Sequence, residues 1–209
     1  MRKLLTTLCL SVLLLCINEP ASTAAVRDEL IMGKAELPPE QMVRYVRQYC
    51  EAPKLNCSIE ELVRLYYAAG EAEGVRADIA ICQAMLETGN FFSIAGVVDP
   101  EQNNYCGLGA TDGNTPGHSF SSPAQGVMAH IQHLVCYAKA ELPRTPLVDP
   151  RYYHVVNKRP DIYGKMPRWV DLNGRWAVPG DNYGETILDY WEIAKSVGND
   201  AADVSFIGK

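Results

Sequence analysis

The feature that most constrains this chain is a carboxylate in apolar company. Glu87 stands in Ala84-Met85-Leu86-Glu87-Thr88-Gly89, near the end of an otherwise apolar helical run, and a turn-rich stretch follows at Gln102-Asn103-Asn104-Tyr105-Cys106-Gly107-Leu108-Gly109. A carboxylate embedded in an apolar helix incurs a large desolvation penalty when charged, so it keeps its proton or acquires a partner. The carbonyl end of a helix carries partial negative charge, which raises the pKa further. A held proton is what a general acid needs. The same placement also reads as a buried glutamate bonded to neighbouring backbone, and position alone does not separate the two readings.

Helical signals surround that run. Ser58-Ile59-Glu60-Glu61 is a capping box, after which Leu62, Leu65, Tyr66 and Ala69 share one face, predicting a helix from about Ile59 to Glu73. Gly74 breaks it, Asp78 suits the next first turn, and the helix carrying Gln83 and Glu87, one turn apart on one face, runs to Gly89 as its expected cap. Ser122-Pro123-Ala124-Gln125 opens another helix with a buried stripe of Val127, Ile131 and Leu134, ending near Ala140. An earlier helix is expected over Pro39 to Tyr49, and a last one from Asn182-Tyr183-Gly184-Glu185 burying Ile187, Leu188, Trp191 and Ala194. Between Pro143 and Asn182 the chain reads as irregular. Strand signals are scarce, so the expected fold is mainly α, with Gly107 to Ser119 as a long loop or short hairpin.

The N-terminus reads as a secretory signal peptide over residues 1–24: Arg2-Lys3, an apolar stretch from Leu4 to Cys16, then the small residues Ser22-Thr23-Ala24. The stretch is shorter than the roughly 20 residues that span a bilayer, so no integral membrane anchor is expected. Leu15 before Cys16 fits lipid attachment poorly, which ranks lipidation second. Removing Arg2, Lys3 and Glu19 moves the formal charge from -6 to -7. That acidic balance without a basic run argues against nucleic acid as a partner. Five cysteines remain after Cys9 and Cys16 leave. Cys50 and Cys57 flank Pro53 at a spacing that suits a local disulfide in an oxidising compartment, while Cys82, Cys106 and Cys136 cannot be paired from sequence. About 185 residues then form one domain with a sizeable core, expected as a monomer.

Four blocks taken in order, Met85-Leu86-Glu87-Thr88-Gly89, Gln102 to Thr111, Gly126-Val127-Met128-Ala129-His130-Ile131-Gln132-His133-Leu134, and Trp176-Ala177 to Tyr183-Gly184, resemble bacterial glucosaminidase domains. These are the peptidoglycan-cleaving N-acetylglucosaminidases of the lysozyme-like superfamily. The likeness runs from about Ser58 to Val197, which divides the chain into the leader, an N-terminal extension at 25–57, and a lysozyme-like domain at 58–209 with its hairpin or long loop beside the cleft. The resemblance implies peptidoglycan glycan strands as substrate, Glu87 as the catalytic acid, Tyr183 as the tyrosine lining the cleft near the cleaved bond, and Asn104 in a block flanking the cleft. Gln83 is expected at the substrate through the face it shares with Glu87. Arg159 to Pro167 departs from the shorter glycine-centred turn of such domains, which touches the far wall of the cleft.

Glycoside hydrolysis needs a protonated carboxyl at the leaving oxygen and something to stabilise the oxocarbenium-like centre. For the second task the candidate carboxylates are Asp99, Glu101 and Asp112, with Asp112 preferred because its glycine-rich loop can reach over a cleft. A 2-acetamido group on the substrate can do the same work, oriented by Tyr183. Trp169, Trp176, Tyr105 and Tyr152 are candidate sugar platforms, with core packing the competing reading for each. His130 and His133 form a His-x-x-His pair without a third ligand, so no metal is expected and both read as packing and polar-face residues. No cofactor is implied. Three readings follow: an endo-β-N-acetylglucosaminidase, a muramidase or lytic transglycosylase of the same fold, and a non-catalytic glycan-binding module.

Overall fold

The computed structural model describes residues 28–50, 52–92, 98–112 and 115–198. The expected signal peptide and its cleavage site lie outside the described residues. The order of elements is α1 (Pro39–Tyr49), α2 (Ile59–Glu73), α3 (Ala77–Glu87), α4 (Gly89–Phe92), β1 (Ala110–Asp112), β2 (Thr115–Pro116), α5 (Pro123–Ala138), α6 (Tyr152–Lys158) and α7 (Tyr183–Ser196), with short 3-10 turns at Pro100–Gln102 and Trp169–Leu172. The fold is mainly α, and the antiparallel pair β1-β2 is the short hairpin expected within Gly107 to Ser119.

Helix α3 is apolar on every side, and every residue from Ala77 to Met85 is buried. Such a helix is stable only when surrounded. It packs against α2 on one flank and α7 on another, while α2 also carries α1 and α5. Ile79, Ile81, Leu62, Tyr66, Ile131, Leu134 and Trp191 form the shared interior. Each large apolar side chain buried there contributes about 1.5–3 kcal/mol. Asp78, fully buried at the first turn of α3, accepts from Trp191 Nε1 at 2.9 Å and Glu36 N at 3.0 Å and pairs with Arg76 at 3.2 Å, so one carboxylate ties α3 to α7 and to the N-terminal segment.

The caps at Ser58 and Ser122 follow the sequence signals, whereas the helix expected to run to Gly89 ends at Glu87 with Thr88 as its cap. Ser58 Oγ accepts from Glu61 N, and Ser122 Oγ accepts from Gln125 N with Pro123 at the first position of α5. Two further expectations change. The stretch after Pro143 holds a helix, α6, and a 3-10 turn rather than being irregular throughout. Cys50 and Cys57 are separate thiols, as are Cys82, Cys106 and Cys136, so the local disulfide is not formed. Cys50 is buried against the core, and the packing of α1 there replaces the constraint a bridge would supply. No described helix is long and apolar enough to cross a membrane.

Candidate active site

Glu87 is the last residue of α3, and α3 stops there for local reasons. Thr88 donates its hydroxyl back to Ala84 O at 2.6 Å, and Thr88 Oγ1 accepts from Phe91 N at 3.0 Å. The backbone then enters α4, a single left-handed turn with φ of +56°, +51° and +62° at Asn90, Phe91 and Phe92. Left-handed backbone costs a non-glycine residue roughly 1–2 kcal/mol, and burial of Phe91 and Phe92 offsets it. Glu87 thereby ends half-buried at the terminus of α3.

Two donors meet its carboxyl. The Tyr183 hydroxyl, from the first residue of α7, donates to Oε1, and the Trp176 indole N–H bonds the same group. Burial raises the Glu87 pKa to about 7, and the bonds from Tyr183 and Trp176 pull in the opposite direction without cancelling it. On the Oε2 side lies Gly107, where an added Cβ would stand 3.7 Å from that oxygen. The missing side chain leaves the approach to the carboxyl clear.

Behind Tyr183 runs a buried polar chain. Gln83 Nε2 donates to Tyr183 Oη at 2.8 Å, His130 Nε2 lies 2.9 Å from Gln83 Oε1, and Tyr66 Oη lies 2.9 Å from His130 Nδ1. With the Gln83 amide nitrogen committed to Tyr183, its oxygen accepts, so His130 carries its proton on Nε2 and accepts from Tyr66 at Nδ1. Burial pushes the His130 pKa down to about 3, which keeps the ring neutral. Trp176 is held differently. Its ring packs against His133 and Tyr137, each at 5.1 Å between centroids, and against His130 at 5.9 Å. His133 Nδ1 is in turn fixed on Asp149 Oδ2 at 2.7 Å.

The profile of the glucosaminidase family, described as mannosyl-glycoprotein endo-beta-N-acetylglucosaminidase, matches residues 63–195, a stretch that contains Tyr66, Gln83, Glu87, His130, Trp176 and Tyr183. The chain belongs to the glucosaminidase family. An uncharacterized protein of Borreliella burgdorferi is 39% identical over 146 residues, covering 69% of this chain and 66% of that protein. The match thus spans just under two thirds of that relative's length. No solved structure matches the chain at a significant level.

In this member of the glucosaminidase family, Glu87, Tyr183, Gln83 and Trp176 are brought together, but Gln83 is fully buried and reaches Glu87 only through Tyr183, contrary to its expected contact with substrate. Four other expected contacts are corrected. Asn104 has no exposed surface; it clamps its own loop by donating to Leu108 O and His118 O, each at 3.0 Å, and accepting Leu108 N at 2.9 Å. Tyr105, 1% exposed, packs edge-on against Tyr66 in the core. Trp169, 0% exposed, gives its indole N–H to Leu30 O and offers no face to a sugar. Tyr152 is buried as well, its hydroxyl on Glu141 O. An apolar side chain facing a packed interior stabilises more than one facing water, and these rings follow that rule. Trp176 alone of the candidate platforms is half-exposed.

The backbone of Asp112 lies on β1, while its side chain is outside the described residues. Asp99 caps the 3-10 turn through Glu101 N, and Glu101 points into solvent. Among the described residues no group of three His, Cys, Asp or Glu could hold a metal ion. His130 and His133 pack in the interior as expected, but neither lies on a polar face: both are buried and hydrogen-bonded. The signal was in the spacing: His130 falls on the stripe of Val127, Ile131 and Leu134 at the i+3 position, where a polar ring needs a partner. A cavity of about 960 Å³, lined by Leu37, Tyr67, Gly70 and Arg144, opens beside Ala77 at the other end of α3, about 15 Å away by helix rise, and takes no part in this site.

Proposed function

We propose that this glucosaminidase is a secreted peptidoglycan hydrolase, an endo-β-N-acetylglucosaminidase that cuts the β-1,4 bond after GlcNAc with Glu87 as general acid. The observation that carries the reading is a half-buried carboxyl at a helix end, held near a pKa of 7 and reached by two donors. Such a group is protonated often enough at neutral pH to hand a proton to a leaving glycosidic oxygen, and losing it exposes a charge that Tyr183 and Trp176 stabilise. The half-exposed face of Trp176 is the sugar platform. Tyr183, with its hydroxyl at the carboxyl, orients the 2-acetamido group so that the substrate's own carbonyl takes up the oxocarbenium-like centre. Asp112, on the hairpin, is the second carboxylate to test beside that route. No cofactor enters the reaction.

The test is digestion of purified peptidoglycan by the parent chain and by Glu87→Gln, with the products reduced and the new end sugar identified by mass spectrometry. Reduced GlcNAc from the parent alone, with wall binding kept by Glu87→Gln and its rate lower by about 10²-fold or more, is the expected result. Reduced or anhydro MurNAc would instead place the activity with muramidases or lytic transglycosylases. Unchanged wall binding with no released ends from either protein would make the domain a glycan-binding module.

A further inference from the structure

The buried side chains behind Tyr183 do more than fill space. A glutamine amide can face either way, and a neutral imidazole has two tautomers, so a Tyr-Gln pair beside a carboxyl has two self-consistent hydrogen-bond directions. In one, donors run Tyr66 to His130 to Gln83 to Tyr183 to Glu87, and the Tyr183 proton is aimed at Oε1. In the other, every bond reverses: Tyr183 donates to Gln83, His130 carries its proton on Nδ1, and a protonated Glu87 donates to Tyr183. The two directions differ at Tyr66. Its hydroxyl is fully buried and its hydrogen-bond partner is His130, so the reversed direction leaves the Tyr66 proton without an acceptor. An orphaned buried donor disfavours that direction roughly ten- to hundredfold.

We infer that Tyr66, His130 and Gln83 form a one-way relay that fixes the Tyr183 hydroxyl as a donor to Glu87, making them positioning residues for the acid four hydrogen bonds from Tyr66. The relay draws one residue from each of α2, α5, α3 and α7 before it reaches the end of α3. Its importance for catalysis rests on Glu87 acting as the general acid; its effect on Glu87's titration does not. The titratable groups facing Glu87 are Tyr183 from α7 and the Cys106 thiol from the loop, both held protonated by burial. Those facing His130 are Tyr66 from α2 and His133 from its own helix, with the uncharged rings of Trp176 and Gln83's amide completing its surroundings.

The experiment is a carbon-13 NMR titration of the Glu87 side-chain carboxyl, assigned by its absence in Glu87→Gln, in the parent chain, in Tyr66→Phe and in Gln83→Met. Tyr66→Phe removes only the hydroxyl, and Gln83→Met replaces the amide with a thioether of similar length that neither donates nor accepts strongly. Tyr66→Phe frees the reversed direction, and Gln83→Met frees the Tyr183 oxygen to accept, so in each the protonated acid gains a partner. The expected result is an upward move of the carboxyl midpoint by about one pH unit, with the basic limb of kcat/KM against pH moving alongside it. A folded Tyr66→Phe and Gln83→Met with the parent's midpoint would overturn the relay and leave these residues as packing. A shifted midpoint in a chain that releases no sugar would uphold the relay and sink the glycosidase reading; glycan hydrolysis with an unshifted midpoint would do the reverse.

Discussion

At the scale of one residue, the group proposed as the acid, Glu87, also ties stability to pH. Its carboxyl binds a proton more tightly in the folded chain, near pH 7, than the ordinary 4.5 of a glutamate. Its contribution to stability is therefore complete below about 4.5 and is lost as the pH rises through about 7. The unfolding free energy of Glu87→Gln minus that of the parent should accordingly grow by roughly 3 kcal/mol between pH 4 and pH 8. Denaturant titrations at those two pH values measure it, and a difference that does not change with pH would mean that Glu87 titrates as an exposed glutamate. Glu87 stood out in the sequence because its signal is local, an acid in an apolar helix, whereas Tyr183 entered only through what the family resemblance implies. The buried relay was not legible, because Gln83 and Tyr183 are 100 positions apart and His130 and Tyr66 are 64 apart. A single sequence marks such residues as polar without saying what they meet.

At the scale of elements, the site depends on how closely α7 lies on the 3-10 turn at Trp169–Leu172. Gly184, next to Tyr183, has room for no side chain: an added Cβ would fall 2.3 Å from Trp169 O and 2.5 Å from the Val170 Cα. Those are backbone atoms, which cannot rotate aside. Gly184→Ala should cost roughly 2–3 kcal/mol and tilt Tyr183 off the carboxyl, lowering activity beyond what partial unfolding explains. Denaturation together with the peptidoglycan digest checks both, and a fully stable, fully active variant would show that the helix sits farther out. The helices themselves were readable wherever a cap announced them, as at Ser58 and Ser122. The seven-residue α6 was hidden because it opens at Arg151 without a side-chain cap and follows a proline-rich stretch that reads as coil. The tryptophans divided for a physical reason as well, since Trp169 lies under α7 while Trp176 lies at the mouth of the site.

At the scale of the whole molecule, the described chain holds together by packing, with all five of its cysteines as thiols. A domain of this size buries enough apolar surface to be stable without covalent staples. The thermal midpoint should therefore be the same with and without dithiothreitol, and a fall of several degrees on reduction would reveal a bridge, Cys50 to Cys57 being the first to examine. Burial of the carboxyl adds a matter of timing. Because burial is what raises the Glu87 pKa and α7 packs on α3, a chain in which α7 has not docked carries a common glutamate, ionised at neutral pH. That raised pKa arrives only when α7, the last of the described helices, docks, so the group proposed as the acid is completed by the C-terminal end of the described chain.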